Sequence, residues 1–330
     1  MTLLPDSRRF VIKRFGRYGL IDVLGRIVVE PGFQFLGDYR EGFVSFRVGK
    51  LYGFIDSQGT VLVEPKFQDS KATGPTFSFG LSVLGLAGEK GYIDGQGNVK
   101  IGGALYFATG FKAGFAIVQR VEGQRAFEII DQEGDTVSDF AAAEVPDIPD
   151  WPLDWNSFGC FVSVEHRWLV GLFNRRGECW FKPKYPQMSE FYAGVAGYCL
   201  FEDSARHPFG LVDVQGTQIR SPIYYNLSGF SEGLAGAGRS LREHGFIDAS
   251  GEWVIEPKYK QALPFSGGLA CVTVDGRKGF INPKGEMVIE PRFDRQASFR
   301  DGLALVEYEG KRAYIDESGR IVWETRLEDE

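Results

Sequence analysis

A fifteen-residue string recurs along this chain and limits what it can fold into: GFIDASGEWVIEPKY at 245–259, GFIDSQGTVLVEPKF at 53–67 and GFINPKGEMVIEPRF at 279–293. Looser copies bring the total to nine between Gly19 and Trp323. Such a period marks a tandem array, in which each unit is one supersecondary element that buries its apolar face on its neighbours. The polar residue after the apolar pair is Asp22, Asp56, Asp94, Asp131, Asn174, Asp213, Asp248, Asn282 and Asp316, at spacings of 34 to 43 residues. Glycine follows three residues later in every copy.

Turn chemistry explains that pairing. An Asp or Asn side chain bonds backbone N–H groups just ahead of it, and glycine supplies the positive φ that closes the turn. Asp-x-x-Gly between two apolar runs therefore predicts a hairpin, a type I turn with a glycine bulge. The run before it (Tyr52–Ile55) is the middle strand of a unit, and the run after it (Val61–Val63) the closing strand. The unbroken apolar character of the closing strand predicts burial on both faces. Proline in Glu64-Pro65, Glu256-Pro257 and Glu290-Pro291 predicts the end of that strand. A second motif, aromatic-x-x-Gly-apolar-small, as at Phe230–Ala235, Phe265–Ala270 and Phe299–Ala304, starts the opening strand of the next unit.

Each unit thus reads as a three-stranded antiparallel meander. The units are approximately 10–33, 43–67, 81–105, 115–137, 160–185, 195–224, 234–259, 269–293 and 303–323, in a single array spanning 1–330. With 43 Gly and 28 Phe and no long helical periodicity, the class is all-β. Nine near-equal units predict a β-propeller-like closed ring, which protects its strand edges; an open superhelical, solenoid-like array is the alternative.

The pattern G-F-I-D-x-x-G-x-V-V-x-P-x-F followed by F-x-x-G-L-A-x-V resembles the bacterial WG (KWG) repeat family over nearly the whole chain. The eponymous Trp is replaced before every glycine, by Tyr18, Tyr52, Lys90, Val170, Phe209, His244 and Lys278. The resemblance implies an interaction scaffold and brings no catalytic residues with it.

The pattern breaks at 138–158, an insertion with three prolines and two tryptophans. Between Ala126 and His166 there are ten carboxylates and no Lys or Arg, whereas the whole chain is only −7, so the remainder is net positive. Trp151 and Trp155 beside Glu144, Asp147, Asp150 and Asp154 combine aromatic anchors with an acidic rim. That set suits a basic protein partner and repels nucleic acid. A solvated loop that merely interrupts the array is the bland counterpart of this reading.

Other chemistry finds little purchase. Calcium loops gather several carboxylates within a dozen residues, whereas each turn here supplies one, so the Asp series reads as capping. Glu64, Glu256 and Glu290 with Lys66, Lys258 and Arg292 predict charge ladders between repeats. Cys160, Cys179, Cys199 and Cys271 show no CxxC spacing, and His166, His207 and His244 lie at no ligand spacing from them. No nucleophile elbow, Walker loop or HExxH is present, and no cofactor is implied. With no apolar run long enough for export or a membrane span, the expected location is cytoplasmic. The expectation is a non-catalytic scaffold for a basic protein, with a toxin-neutralising immunity protein as a sharper variant. A propeller-type hydrolase or lyase with a central carboxylate site is the enzymatic alternative. Oligomeric state is left open by the sequence.

Overall fold

The computed structural model describes residues 8–68, 74–86, 89–111, 114–120, 126–141, 157–164, 167–174, 179–185, 187–189, 191–192, 194–199 and 209–329. Among these, nine antiparallel sheets follow one another along the chain, and the single helical element is a 3-10 turn at Leu327–Asp329. The all-β tandem array of propeller-like sheets is as the repeat predicts. No helix among the described residues is long and apolar enough to cross a membrane.

The second sheet is representative: opening strand Val44–Val48, middle strand Leu51–Ile55, closing strand Val61–Phe67, paired in that order. Four sheets add a short leading strand that the sequence did not show: Phe77–Ser78, Phe107–Ala108, Gln187–Met188 and Asn226–Ser231. In other sheets the same stretch makes single bridges, such as Arg40 with Phe43 and Ser266 with Leu269. The full unit is therefore four-stranded in outline. The aromatic-x-x-Gly motif opens the strand as expected, with Leu234, Ala270 and Leu303 as the first strand residues, and its first part forms a tight turn leading in. Both central residues of that turn have positive φ, as at Glu232-Gly233 and Asp301-Gly302, the type I′ geometry that matches strand twist.

The first four sheets belong to one compact unit and the last five to a second. Within each, successive sheets share apolar clusters. In the first unit, Ile55 packs back on Leu20 of the first sheet, and Phe54 packs forward against Phe77, Leu84 and Ile93 of the third. In the second unit, Phe280 lies with Phe299, Ala304 and Val306 of the ninth sheet, and Ile281 with Phe246 and Ile255 of the seventh. The Phe-Ile pair of the second and eighth sheets thus reaches both neighbours, because adjacent residues of a strand face opposite sides of the sheet. Phe54, Phe246 and Phe280 are at most 1% exposed, and each such burial contributes about 2 kcal/mol.

Two expectations are corrected. Burial on both faces belongs to the middle strand, where Tyr52, Gly53, Phe54 and Ile55 are all buried. The closing strand is the edge of its sheet and buries one face: Val63 is 3% exposed, but Val61 and Leu62 are over 40% exposed. Nor does proline stop that strand. Pairing of Tyr52 with Phe67 and of Phe54 with Val63 carries it past Pro65 through a bulge opposite Gly53. The missing proline N–H falls where the ladder is already interrupted, as at a sheet bulge. This crossing also explains the middle-strand glycine. A Cβ on Gly279 would meet Ile289 O at 2.6 Å and Pro291 N at 2.9 Å. Glycine and proline are two halves of one close approach.

Candidate functional site

Where its turns are described, a sheet presents two ends. One carries the middle-to-closing Asx turn together with the leading-to-opening turn; the other carries the opening-to-middle turn. The Asx turns match the predicted type I turn with a glycine bulge. At Asp248, Oδ1 accepts the N–H of Ser250 (2.9 Å) and of Glu252 (3.1 Å), while the Gly251 N–H donates to Asp248 O (2.9 Å). Gly251 has φ of 81°. Asp22, Asp56, Asp94 and Asp316 make the same pair of bonds, and Asn282 makes it without a charge. The Ser250 hydroxyl holds the Asp248 carboxyl below the ordinary range, against the opposing pull of burial and helped by those N–H groups. At Asp22, burial opposes ionisation, but the N–H of Arg26, its guanidinium and the Leu24 N–H outweigh it.

The leading-to-opening turns at this end are tied from sheet to sheet. Glu41 accepts the N–H groups of Phe79 (2.9 Å) and Gly80 (2.8 Å), and Glu232 accepts that of Gly268 (3.0 Å). Ser231 donates to Phe265 O (2.6 Å) and Ser266 to Phe299 O (2.5 Å). A recess of about 500 Å³ opens here, lined by Phe79, Gly80, Leu81, Asp94, Lys100, Gln132 and Glu133. Its Asp94 is spent on two backbone N–H groups, Asn98 and Lys100, the last at 3.4 Å. The Asp94, Glu41 and Glu232 carboxylates at this end accept turn N–H groups. No group of three or more metal-ligating side chains forms among the described residues.

The expected charge ladder between repeats is not what the Glu-Pro-Lys/Arg segments build. Glu256 pairs with Arg239 of its own sheet at 3.2 Å. Lys66, Lys258 and Arg292 instead lie over the aromatic residue that follows them, at 5.1, 5.3 and 5.1 Å from the ring centres of Phe67, Tyr259 and Phe293. Arg292 also donates to Gly319 O of the next repeat (2.5 Å). A neighbouring ring, packed in place by the core, is a nearer partner for the stem and charge than a carboxylate across the repeat. Cys271 is buried and its thiol is pushed up by desolvation, which suits packing and not nucleophilic chemistry.

Glu144, Asp147, Asp150, Trp151, Asp154 and Trp155 lie outside the described residues. The described strands on either side are Thr136–Ala141 and Ser157–Val164.

The opposite end of the first two sheets holds an arrangement that repeat reading passed over. Lys13 sits over Tyr18 (5.6 Å), Tyr18 meets Phe35 (6.0 Å), Phe35 meets Tyr52 (5.9 Å), and Arg47 covers both Phe35 (5.1 Å) and Tyr52 (5.9 Å). A row of three rings flanked by two cations thus runs from one sheet to the next. A shallow recess of about 380 Å³ beside it is lined by Arg47, Gly49, Lys50, Tyr52 and Gln68. The signal was present in the strings KRFGRY and RVGKLY, with basic residues on both sides of a turn glycine.

Comparison with known proteins accords with the repeat pattern and the sheet architecture. A search of curated proteins finds no match. Among solved structures, the crystal structure of a eukaryotic initiation factor aligns with a TM-score of 0.67 at 10% identity, covering 96% of this chain and 95% of that one. That likeness shows a shared fold alone. Dihydro-heme d1 dehydrogenase NirN aligns at 0.48 with 12% identity, over 98% of this chain and 74% of that one. The Dos1 propeller aligns at 0.43 with 11% identity, over 80% and 87%. The profile of the WG-containing repeat matches residues 18–52, 52–72, 91–123, 209–237, 245–277 and 279–311, more than half of the chain. The chain belongs to the WG-containing repeat family.

Proposed function

We propose that this protein is a non-catalytic scaffold that binds another protein. The observation that carries the reading is the division of labour within each repeat. Backbone-directed carboxylates and serines fix the turns of one sheet after another, leaving a rigid frame whose remaining turn side chains differ from repeat to repeat, as at Phe15, Asp275 and Glu309. Rigid strands presenting variable turns are the usual arrangement of a recognition surface. The repeated Asp, which an enzymatic reading would recruit as a carboxylate site, is committed to its own turn at Asp22, Asp56, Asp94, Asp248 and Asp316.

The acidic segment 138–158 supplies the finer reading: a basic protein is drawn in by Glu144, Asp147, Asp150 and Asp154 and anchored by Trp151 and Trp155. Affinity capture on the immobilised chain tests it, with each captured protein purified and titrated back. Trp151→Ala with Trp155→Ala should weaken binding of a basic partner by about a hundredfold while the melting temperature stays unchanged. Unaltered affinity would remove the segment from the site.

A further inference from the structure

The opening-to-middle end of the first two sheets carries five cations, Lys13, Arg14, Arg17, Arg47 and Lys50. Among the described residues none of the five forms an ion pair; Lys13, Arg14 and Arg47 lie over rings instead. Interleaved with them are Phe15, Val48 and Leu51, which are 69%, 58% and 37% exposed. Phe15 occupies the left-handed region at φ of 49°, followed by Gly16 at 69°. That position suits Asn, Asp or Gly, and a bulky apolar residue there is strained. Apart from the Arg14 guanidinium over its ring, folding gains little from exposing a strained phenylalanine, and most of the ring is left for contact with something else.

We propose that this end is a binding surface for an acidic, apolar-studded peptide segment of a partner protein. Phe15 and Val48 take the apolar side chains, while Arg14, Arg17 and Lys50 pair with carboxylates. Lys13 and Arg47, fixed over Tyr18, Phe35 and Tyr52, hold the frame and add positive potential. The chemistry favours peptide over nucleic acid. The exposed apolar residues beside Phe15, Val48 and Leu51, are aliphatic, and Tyr52 is only 2% exposed, so the patch suits peptide side chains better than a run of stacked bases. An acidic stretch of this chain already reaches the edge of the patch, where the Phe15 N–H donates to Asp329 O. The fold does not require unpaired cations at this end. In the eighth and ninth sheets Arg277 pairs with Asp294, Arg312 with Glu307 (2.8 Å) and Lys311 with Glu324 (2.9 Å).

The test uses the full chain and a dye-labelled peptide of alternating glutamate and leucine, followed by fluorescence anisotropy. Wild type should bind it with an affinity that falls as salt rises. Arg17→Glu with Lys50→Glu should weaken binding about tenfold, since exposed pairs are individually modest but both are reversed in sign. Phe15→Asn should weaken binding while raising the melting temperature, because it removes the anchor and the strain together. Lys284→Glu, in an Asx turn of the eighth sheet, should change nothing. Unchanged binding in the Arg17/Lys50 variant overturns the proposal, as does equal affinity for an oligothymidylate of the same charge. Wild-type self-association abolished by the same substitutions would assign the surface to a second copy and overturn it too.

Discussion

At the opening-to-middle turn of the first sheet the left-handed position holds Phe15; in the eighth and ninth sheets it holds Asp275 and Glu309. Their backbones agree closely, with φ of 49°, 47° and 48° before a glycine. Around Phe15 the cations are unpaired by carboxylates among the described residues, whereas Arg277, Lys311 and Arg312 beside Asp275 and Glu309 are paired, and Lys278 donates to the Gly276 carbonyl. One backbone plan therefore supports two finishes, an open basic surface and a self-neutralised one. The difference lies wholly in side chains that the fold does not constrain. It teaches that function in a repeat array is sought where equivalent positions diverge, since what recurs in every copy is spent on architecture.

If the frame is common to both regions, breaking it should cost the same in each. Gly279→Ala places a methyl group against Ile289 O and Pro291 N, and neither backbone atom can retreat without opening the sheet. Gly19, with Pro31 N at 2.8 Å from the same imagined atom, is its counterpart in the first unit. Either substitution should destabilise by about 3 kcal/mol, measured by urea denaturation, because overpacking and lost pairing act together. A loss at one glycine but not at the other would break the comparison, showing that the two regions do not share one plan.

The Asx turns set a milder test of the same point. The Asp248 carboxyl titrates below its ordinary value, so its contribution is complete above the unfolded pKa and is lost as the pH falls through the folded pKa. Asn282 makes the equivalent backbone bonds at 3.0 and 3.1 Å with no proton to gain. Asp248→Ala should cost about 1 kcal/mol at neutral pH, in line with other side-chain caps. Asp248→Asn should retain most of the stability there and lose less of it in acid than wild type does. Denaturation curves at neutral and acidic pH distinguish these outcomes; identical acid dependence in wild type and Asp248→Asn would show that the charge adds nothing beyond the hydrogen bonds.

The hairpin and its glycine bulge were legible in the sequence because both partners sit within four residues: Asp248 and Gly251 carry their own explanation. The purpose of Gly53 and Pro65 was not, since the reason is a crossing of two strands in register, and each residue alone reads as a breaker. The leading strands escaped notice because two residues such as Phe77–Ser78 carry no alternation. The unbroken apolar run of the closing strand likewise suggests burial on both faces, although as a sheet edge it leaves Val61 and Leu62 exposed. At the proposed basic surface, KRFGRY and RVGKLY were in plain view. What the string could not show is which cations find carboxylates, because Arg277 meets Asp294 at a separation of seventeen positions, across intervening strand and turn.

That pairing offers the smallest and sharpest perturbation. Asp294→Ala frees Arg277 and gives the eighth sheet an unpaired cation like those of the second. Both partners are substantially exposed, at 54% and 42%, so solvent already screens the pair. The expected loss of stability is about 0.5 kcal/mol, shrinking further in salt. Asp275 still occupies the turn tip where the first sheet has Phe15, so the variant should bind the glutamate–leucine peptide no better than before at the eighth sheet. The check is anisotropy in the Asp294→Ala chain that also carries Arg17→Glu and Lys50→Glu, which silences the first two sheets. Recovery of wild-type affinity there would mean that a free cation alone suffices, and that Phe15 is not an anchor.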